Sequence, residues 1–182
     1  TRRTKENLAA VKTEEEFKQM LPDAVSCIVI LKIKGQEPRL VLSREYRYPV
    51  GQFLLSVPAG LLDPEDAQAA NPEFHAAIRE LREETGIELE ARDSIQLVNP
   101  LVFSTPGMTD ESNALVQITL NREGMPKVSQ EGAVGSECFE GFLLLTREEA
   151  RKILKDGVDD QGLFYPLYTW AAMMCFVTGI WE

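Results

Sequence analysis

The stretch 79–87, Arg-Glu-Leu-Arg-Glu-Glu-Thr-Gly-Ile, restricts the fold of this 182-residue chain more than any other. Its three carboxylates, Glu80, Glu83 and Glu84, are spaced i, i+3 and i+4, so on a helix they share one face and repel one another unless a cation stands between them. The same spacing turns Ala77, Ile78 and Leu81 toward a core, with the glutamates forming a neighbouring acidic edge. Asn71 as cap, Pro72 in the first turn and Gly86 after Thr85 bound this helix at 72–85. Arg79, one turn before Glu83, braces it as an i,i+4 ion pair. Hard carboxylate oxygens suit Mg²⁺ or Mn²⁺, which keep waters and bridge phosphates. Taken alone, the three glutamates also fit a solvated acidic face.

The remainder reads as an α+β pattern without internal repeats. Thr13 with Glu16 forms a capping box for a short helix that Pro22 ends. Apolar, β-branched runs at 24–34 and 39–46, joined by Lys34-Gly35-Gln36-Glu37-Pro38, predict a hairpin. A third strand at 53–57 ends at Pro58-Ala59-Gly60. Further strands are expected at 94–103, 114–120 and 139–145, and a helix at 147–155. The uncharged segment 163–181 is long enough to cross a bilayer. Pro166, Thr169, Thr178 and Gly179, with no Lys or Arg after Lys155, favour a buried C-terminal helix instead. Residues 24–182 form one domain, preceded by an N-terminal segment, 1–23.

Charge and cysteine usage exclude several classes. Nineteen Lys and Arg against 29 Asp and Glu give a net charge of −10. Such a surface does not neutralise nucleic-acid phosphates, and it repels a polyphosphate substrate unless cations intervene. Cys27, Cys138 and Cys175 are too scattered for a disulfide framework or a paired metal motif, and read as reduced thiols. No leader is legible and no membrane partner is expected, so the location is read as cytoplasmic. His75, the only histidine, has no recognisable nucleophile motif beside it, which argues against Ser-His-Asp chemistry.

Joined to Pro58-Ala59-Gly60, the run 79–87 resembles the signature of the Nudix hydrolases. That pattern is Gly, five residues, Glu, seven residues, then Arg-Glu. Counting back from Arg79 reaches Asn71 rather than Glu, while counting forward from Gly60 reaches Asp66. The loop therefore carries five extra residues between Asp66 and the helix. Asp66 is the first choice for the missing carboxylate, with Glu65 and Glu73 behind it.

Arg44-Glu45-Tyr46-Arg47-Tyr48-Pro49, Val57-Pro58-Ala59-Gly60 and Thr105-Pro106-Gly107-Met108 resemble the ADP-ribose (ADP-sugar) pyrophosphatase branch over most of 24–175. The resemblance implies an α/β/α sandwich with a mixed sheet. It also implies metal on Glu80, Glu83, Glu84 and the main-chain carbonyl of Ala59, and hydrolysis of a nucleoside diphosphate sugar such as ADP-ribose. Arg47 would contact a substrate phosphate, and Tyr46 or Tyr48 with Pro106 and Met108 would favour an adenine nucleotide. Arg79, Glu83, Glu84 and a late-loop glutamate, Glu137 first and Glu140 second, would serve catalysis. Surface roles for Arg44 and Arg47, and plain packing for the tyrosines, are the alternatives. Another Nudix substrate, a GDP-sugar or a non-canonical nucleoside triphosphate, or a non-catalytic ADP-ribose sensor, are the rival functions. The branch is commonly dimeric, so a homodimer is expected, with Thr1-Arg2-Arg3 as the stub of a dimerisation strand.

Overall fold

The computed structural model describes residues 4, 8–130 and 138–181. Thr1-Arg2-Arg3 and Glu137 lie outside the described residues. The Thr13 capping box is present, and the short helix α1 (Glu14–Lys18) follows it. Two strands, β1 (Ala24–Ile33) and β2 (Arg39–Arg47), then form the expected hairpin, with Ile30 opposite Leu40 and Leu31 opposite Arg39. Next come β3 (Gln52–Ser56) and β4 (Ala59–Leu61), the latter not foreseen from sequence because three residues carry no alternation to read. The helix α2 (Pro72–Thr85) leads to β5 (Ser94–Phe103), β6 (Ser112–Arg122) and β7 (Phe139–Leu145). The chain closes with α3 (Arg147–Asp156) and α4 (Leu167–Thr178).

The sheet is mixed, in the order β3-β2-β1-β6-β5, with β4 added to β1 and β7 to β2. β1 and β6 run parallel from Ala24 opposite Asn113 to Ile33 opposite Arg122. At its other end β2 pairs with β3 through Ser43–Arg47, while the start of β1 takes β4 as its neighbour, so the sheet divides into two halves. Helices cover both faces, which is why β1 is apolar almost throughout and why β6, although it alternates from Val116 to Asn121, is buried along nearly its whole length. On one face Ala76, Ala77 and Leu81 of α2 pack on Val25, Val29, Val116 and Ile118. On the other, Ile153 of α3 and Met173 and Phe176 of α4 pack on Ile28, Ile30, Leu40, Leu42 and Leu55. This is the mixed-sheet α/β/α sandwich of the sequence reading.

Two expectations about α2 need correction. Asn71 sits at the cap position but its side chain makes no capping hydrogen bond; the start is held by Pro72 and by the His75 N–H donating to the Asn71 carbonyl at 3.0 Å. Ile78 is 40% exposed, whereas Glu80 and Glu84 are only 5% and 4% exposed. At about 100° per residue, positions 76, 80, 84, 77 and 81 span one arc of roughly 140°, and 78 falls about 60° outside it. The two glutamates thus stand inside the buried arc rather than on an edge beside it. Gly86 ends the helix as expected, at φ +70° in the left-handed region that suits glycine.

The apolar terminal segment is covered mostly within the chain. Ala172, Met173 and Phe176 of α4 are buried, and the Arg147 guanidinium lies 5.0 Å over the Phe176 ring and donates to its carbonyl at 2.7 Å. No helix among the described residues is long and apolar enough to cross a membrane. Cys27 and Cys175 are buried free thiols and Cys138 is an exposed one.

Candidate active site

Strand β4 brings the backbone against the acidic part of α2. A Cβ built on Gly60 would stand 1.9 Å from Glu80 Oε1 and 2.2 Å from its Cδ, so only glycine lets the strand approach this closely. Beside it the Ala59 N–H donates to Glu84 Oε1 at 3.1 Å. Two buried carboxylates one turn apart are thereby held against a strand whose main chain faces them. Their charge reaches Cys27, whose thiol is pushed up by burial and then by Glu84 and Glu80.

Arg79 organises the outer side of this group. Its Nη1 donates to Glu80 Oε1 at 2.6 Å and to Glu83 Oε2 at 3.1 Å. Its Nη2 donates to Asp66 Oδ2 at 2.8 Å and to the Leu61 carbonyl at 2.9 Å. Asp66 opens a short 3-10 turn, Asp66–Gln68, where forward counting from Gly60 had placed the missing carboxylate. It also accepts from the Asp63 N–H at 2.8 Å and meets His75 Nδ1 at 2.5 Å. Burial alone would raise the Asp66 pKa, but the hydrogen bonds from Arg79 and His75 outweigh it and hold the group below the ordinary carboxylate range. Burial likewise disfavours the Arg79 charge, and Asp66 and Glu80 more than restore it. Asp66 therefore anchors Arg79, and Arg79 positions Glu80 and Glu83. Glu65 is exposed on the preceding turn, and Glu73 is half-buried in the first turn of α2.

The donor set is all hard oxygen, and the Gly60 cradle keeps the Glu80 carboxylate against β4. Among the described residues no three His, Cys, Asp or Glu side chains gather at one metal position. Arg79 draws Glu80 and Glu83 toward itself, and the contribution expected of Ala59 is a main-chain oxygen. The arrangement fits a cation that takes one or two carboxylates and completes its shell with water and phosphate, as Mg²⁺ does.

A cleft of about 520 Å³ opens where the two halves of the sheet separate, bounded by β1, β3, β4 and the start of α4. This is the size of a small-ligand site. Ala59, Gly60 and Leu61 line it, so β4 shows one side to the cleft and supports the acidic helix on the other. Arg47 lines the cleft as well, its Nη2 set by Glu45 at 2.8 Å.

Other candidates fall elsewhere. The Tyr46 ring packs edge-on against Tyr48 at 5.2 Å and Phe53 at 5.3 Å, on the side of β2 away from Arg47. Pro106 and Met108 lie in the exposed loop between β5 and β6, with Met108 90% exposed; the cleft takes Ser104 and Glu111 from the ends of that loop instead. Arg44 lines a separate depression with Lys152 and Asp160, and Glu140 is exposed on β7. Sequence reading missed Ser26, Ser56 and Asn113 on the cleft. Their signal was a polar residue within or beside an apolar strand run, which alone does not say what it faces.

A family model described as the NUDIX domain matches residues 20–166. The ADP-ribose pyrophosphatase of Saccharomyces cerevisiae is 32% identical over 141 residues, covering 74% of this chain and 57% of that protein. The ADP-sugar pyrophosphatase of Mus musculus is 28% identical over 127 residues, covering 70% of this chain and 54% of that protein. This chain spans about half the length of these curated relatives. Among solved structures, the C. elegans Ap4A hydrolase is similar in fold at a TM-score of 0.55 and 19% identity, covering 88% of this chain and 99% of that one.

Proposed function

Because this chain belongs to the NUDIX domain family, we propose that it hydrolyses the pyrophosphate bond of a nucleoside diphosphate sugar, converting ADP-ribose and water to AMP and ribose 5-phosphate. The observation that carries this reading is the shared strand β4: its residues line a ligand-sized cleft together with Arg47 and back onto Glu80 and Glu84. The names of the yeast and mouse relatives support the substrate class.

Arg47, braced by Glu45, binds the nonbridging oxygens of the diphosphate. Glu80, Glu83, Glu84 and the Ala59 carbonyl would between them hold about two or three Mg²⁺ or Mn²⁺ ions, each taking one or two of the carboxylates. Such a cation, when bound, neutralises the charge developing on the diphosphate and acidifies the attacking water. It also offsets the repulsion between a polyanion and a protein of net charge −10. Water adds to one phosphorus as the bond from that phosphorus to the bridging oxygen breaks, and a carboxylate takes the water's proton. Glu137 is the candidate for that base, with Glu140 second. The exposed apolar side chains of Phe164, Leu167, Trp170 and Ile180 offer a surface for a homodimer, which light scattering at micromolar concentration would detect.

The test is a panel of ADP-ribose, GDP-mannose, diadenosine polyphosphates and 8-oxo-dGTP, compared by kcat/KM with products separated by chromatography. ADP-ribose should lead, and ¹⁸O from water should enter the phosphate of AMP or of ribose 5-phosphate. Release of ADP and labelled ribose, or a preference for a triphosphate, would overturn the proposal.

A further inference from the structure

Four side chains on the cleft each carry a buried oxygen without a hydrogen-bond partner: Ser26, Ser56 and Asn113 on strands, and Tyr168 at the start of α4. Ser26 Oγ, Ser56 Oγ and Asn113 Oδ1 are each withdrawn from solvent with no hydrogen-bond partner, and the residues are 1%, 1% and 5% exposed. They come from three strands: β1, β3 and β6. Ser26 stands opposite Ala59 of β4 and, across the parallel pairing, beside Leu115 of β6; Asn113 stands opposite Ala24. The trio therefore adjoins the strand that supports Glu80 and Glu84.

A buried polar atom without a partner costs about 1–3 kcal/mol, and native folds keep few of them. Four at one cleft, three of them on strands, need a common account. None of the four is charged, which separates them in chemistry from Arg47 of the same cleft and argues against a second phosphate site. Asn113 Oδ1 only accepts, while each serine hydroxyl both donates and accepts. The matching ligand is a neutral group bearing several hydroxyls. Donors and acceptors on the edge of a base lie in one line, whereas contacts from three strands diverge as the hydroxyls of a pentose ring do.

We propose that Ser26, Ser56 and Asn113 form the sugar subsite of the cleft and select the hydroxyl-bearing pentose attached to the diphosphate. This rests on the pyrophosphohydrolase reading above and assigns the end of the substrate that sits against β1 and β6. A site with such unpaired groups rejects an analogue lacking the hydroxyl more strongly than an apolar pocket could, because the protein groups stay unsatisfied.

The experiment compares the full chain with Ser26→Ala/Ser56→Ala, measuring calorimetric binding of ribose 5-phosphate, 2-deoxyribose 5-phosphate and AMP in Mg²⁺, with Tm and ADP-ribose turnover alongside. The parent should bind ribose 5-phosphate at least about tenfold tighter than the deoxy compound. The double variant should bind the two alike, lose about tenfold in kcat/KM for ADP-ribose, and melt no lower than the parent, since each deleted hydroxyl was unpaired. The subsite is overturned if the parent does not bind ribose 5-phosphate or does not discriminate, or if the variant binds it as the parent does, the hydroxyls then being filled by water. It is also overturned if the loss falls on AMP alone, which would put the adenosine end of the substrate there. Binding is read without turnover, so the two proposals fail separately. A parent inert toward ADP-ribose that still discriminates the sugars removes the substrate reading alone; an active parent that does not discriminate removes the subsite alone.

Discussion

Replacing Gly60 with alanine tests whether the approach of β4 to α2 controls catalysis. The new Cβ would lie 1.9 Å from Glu80 Oε1, 2.2 Å from Cδ and 2.6 Å from Oε2. Ordinary contact is about 3.5 Å, so the carboxylate must retreat by roughly 1.5 Å. It can do so, being the end of a flexible side chain, and Gly60 has no positive φ to forbid alanine. The loss of stability should therefore be modest, about 1–2 kcal/mol, as overpacking is partly offset by the stiffer unfolded chain. A shift of that size in a catalytic carboxylate costs on the order of a hundredfold in rate. Gly60→Ala should lower kcat/KM for ADP-ribose by about that factor and raise the Mg²⁺ concentration needed for half-maximal rate, with Tm moving by a few degrees. Gly124→Ala, where a Cβ would meet nothing within 4 Å, is the control. If Gly60→Ala keeps kcat/KM within about threefold of the parent at the same Mg²⁺ dependence, Glu80 is not a ligand.

Glu84→Gln keeps an oxygen for the Ala59 N–H, so Tm should hold within a few degrees while turnover falls at least about a hundredfold; near-normal turnover would remove Glu84 from the ligand set. Arg79→Ala leaves the buried carboxylate of Asp66 with only His75 and the Asp63 N–H and frees Glu80 and Glu83, and should cost about 2–3 kcal/mol in urea unfolding; Arg79→Lys should recover only part of it, lacking the fork that reaches Glu80 and Asp66 together. Asp93 is pushed up by burial but held lower overall by hydrogen bonds from Arg122 and from the main chain of Glu90 and Asn121. Because its folded pKa lies below the unfolded value, its contribution is present above about pH 4 and is lost as pH falls through the folded value, so Tm should drop steeply on acidification below pH 4 and less steeply in Asp93→Asn.

What the sequence determined was local. Turn residues at 34–38 and strand-forming runs on either side are enough to make the β1–β2 hairpin, and Thr13 with Glu16 and Thr146 with Glu149 are enough to start α1 and α3. The i, i+3, i+4 glutamates and the Gly86 stop follow from helical period and from the backbone freedom of glycine. Counting forward from Gly60 reached Asp66, the residue that the fold sets against Arg79. Tertiary structure decided the rest. Glu80 and Glu84 are buried because β4 lies over α2, a contact between residues about twenty positions apart that no helical period encodes. Tyr46 and Arg47 adjoin in sequence, yet strand alternation sends one ring to pack and the other side chain to the cleft. Ser26, Ser56 and Asn113 line one cleft only because β6 runs parallel to β1 while β3 joins the sheet through β2. Helix caps and turns are set by interactions within a few residues; pairing between distant strands is set by burial of the whole sheet, and the cleft exists only once that pairing is made.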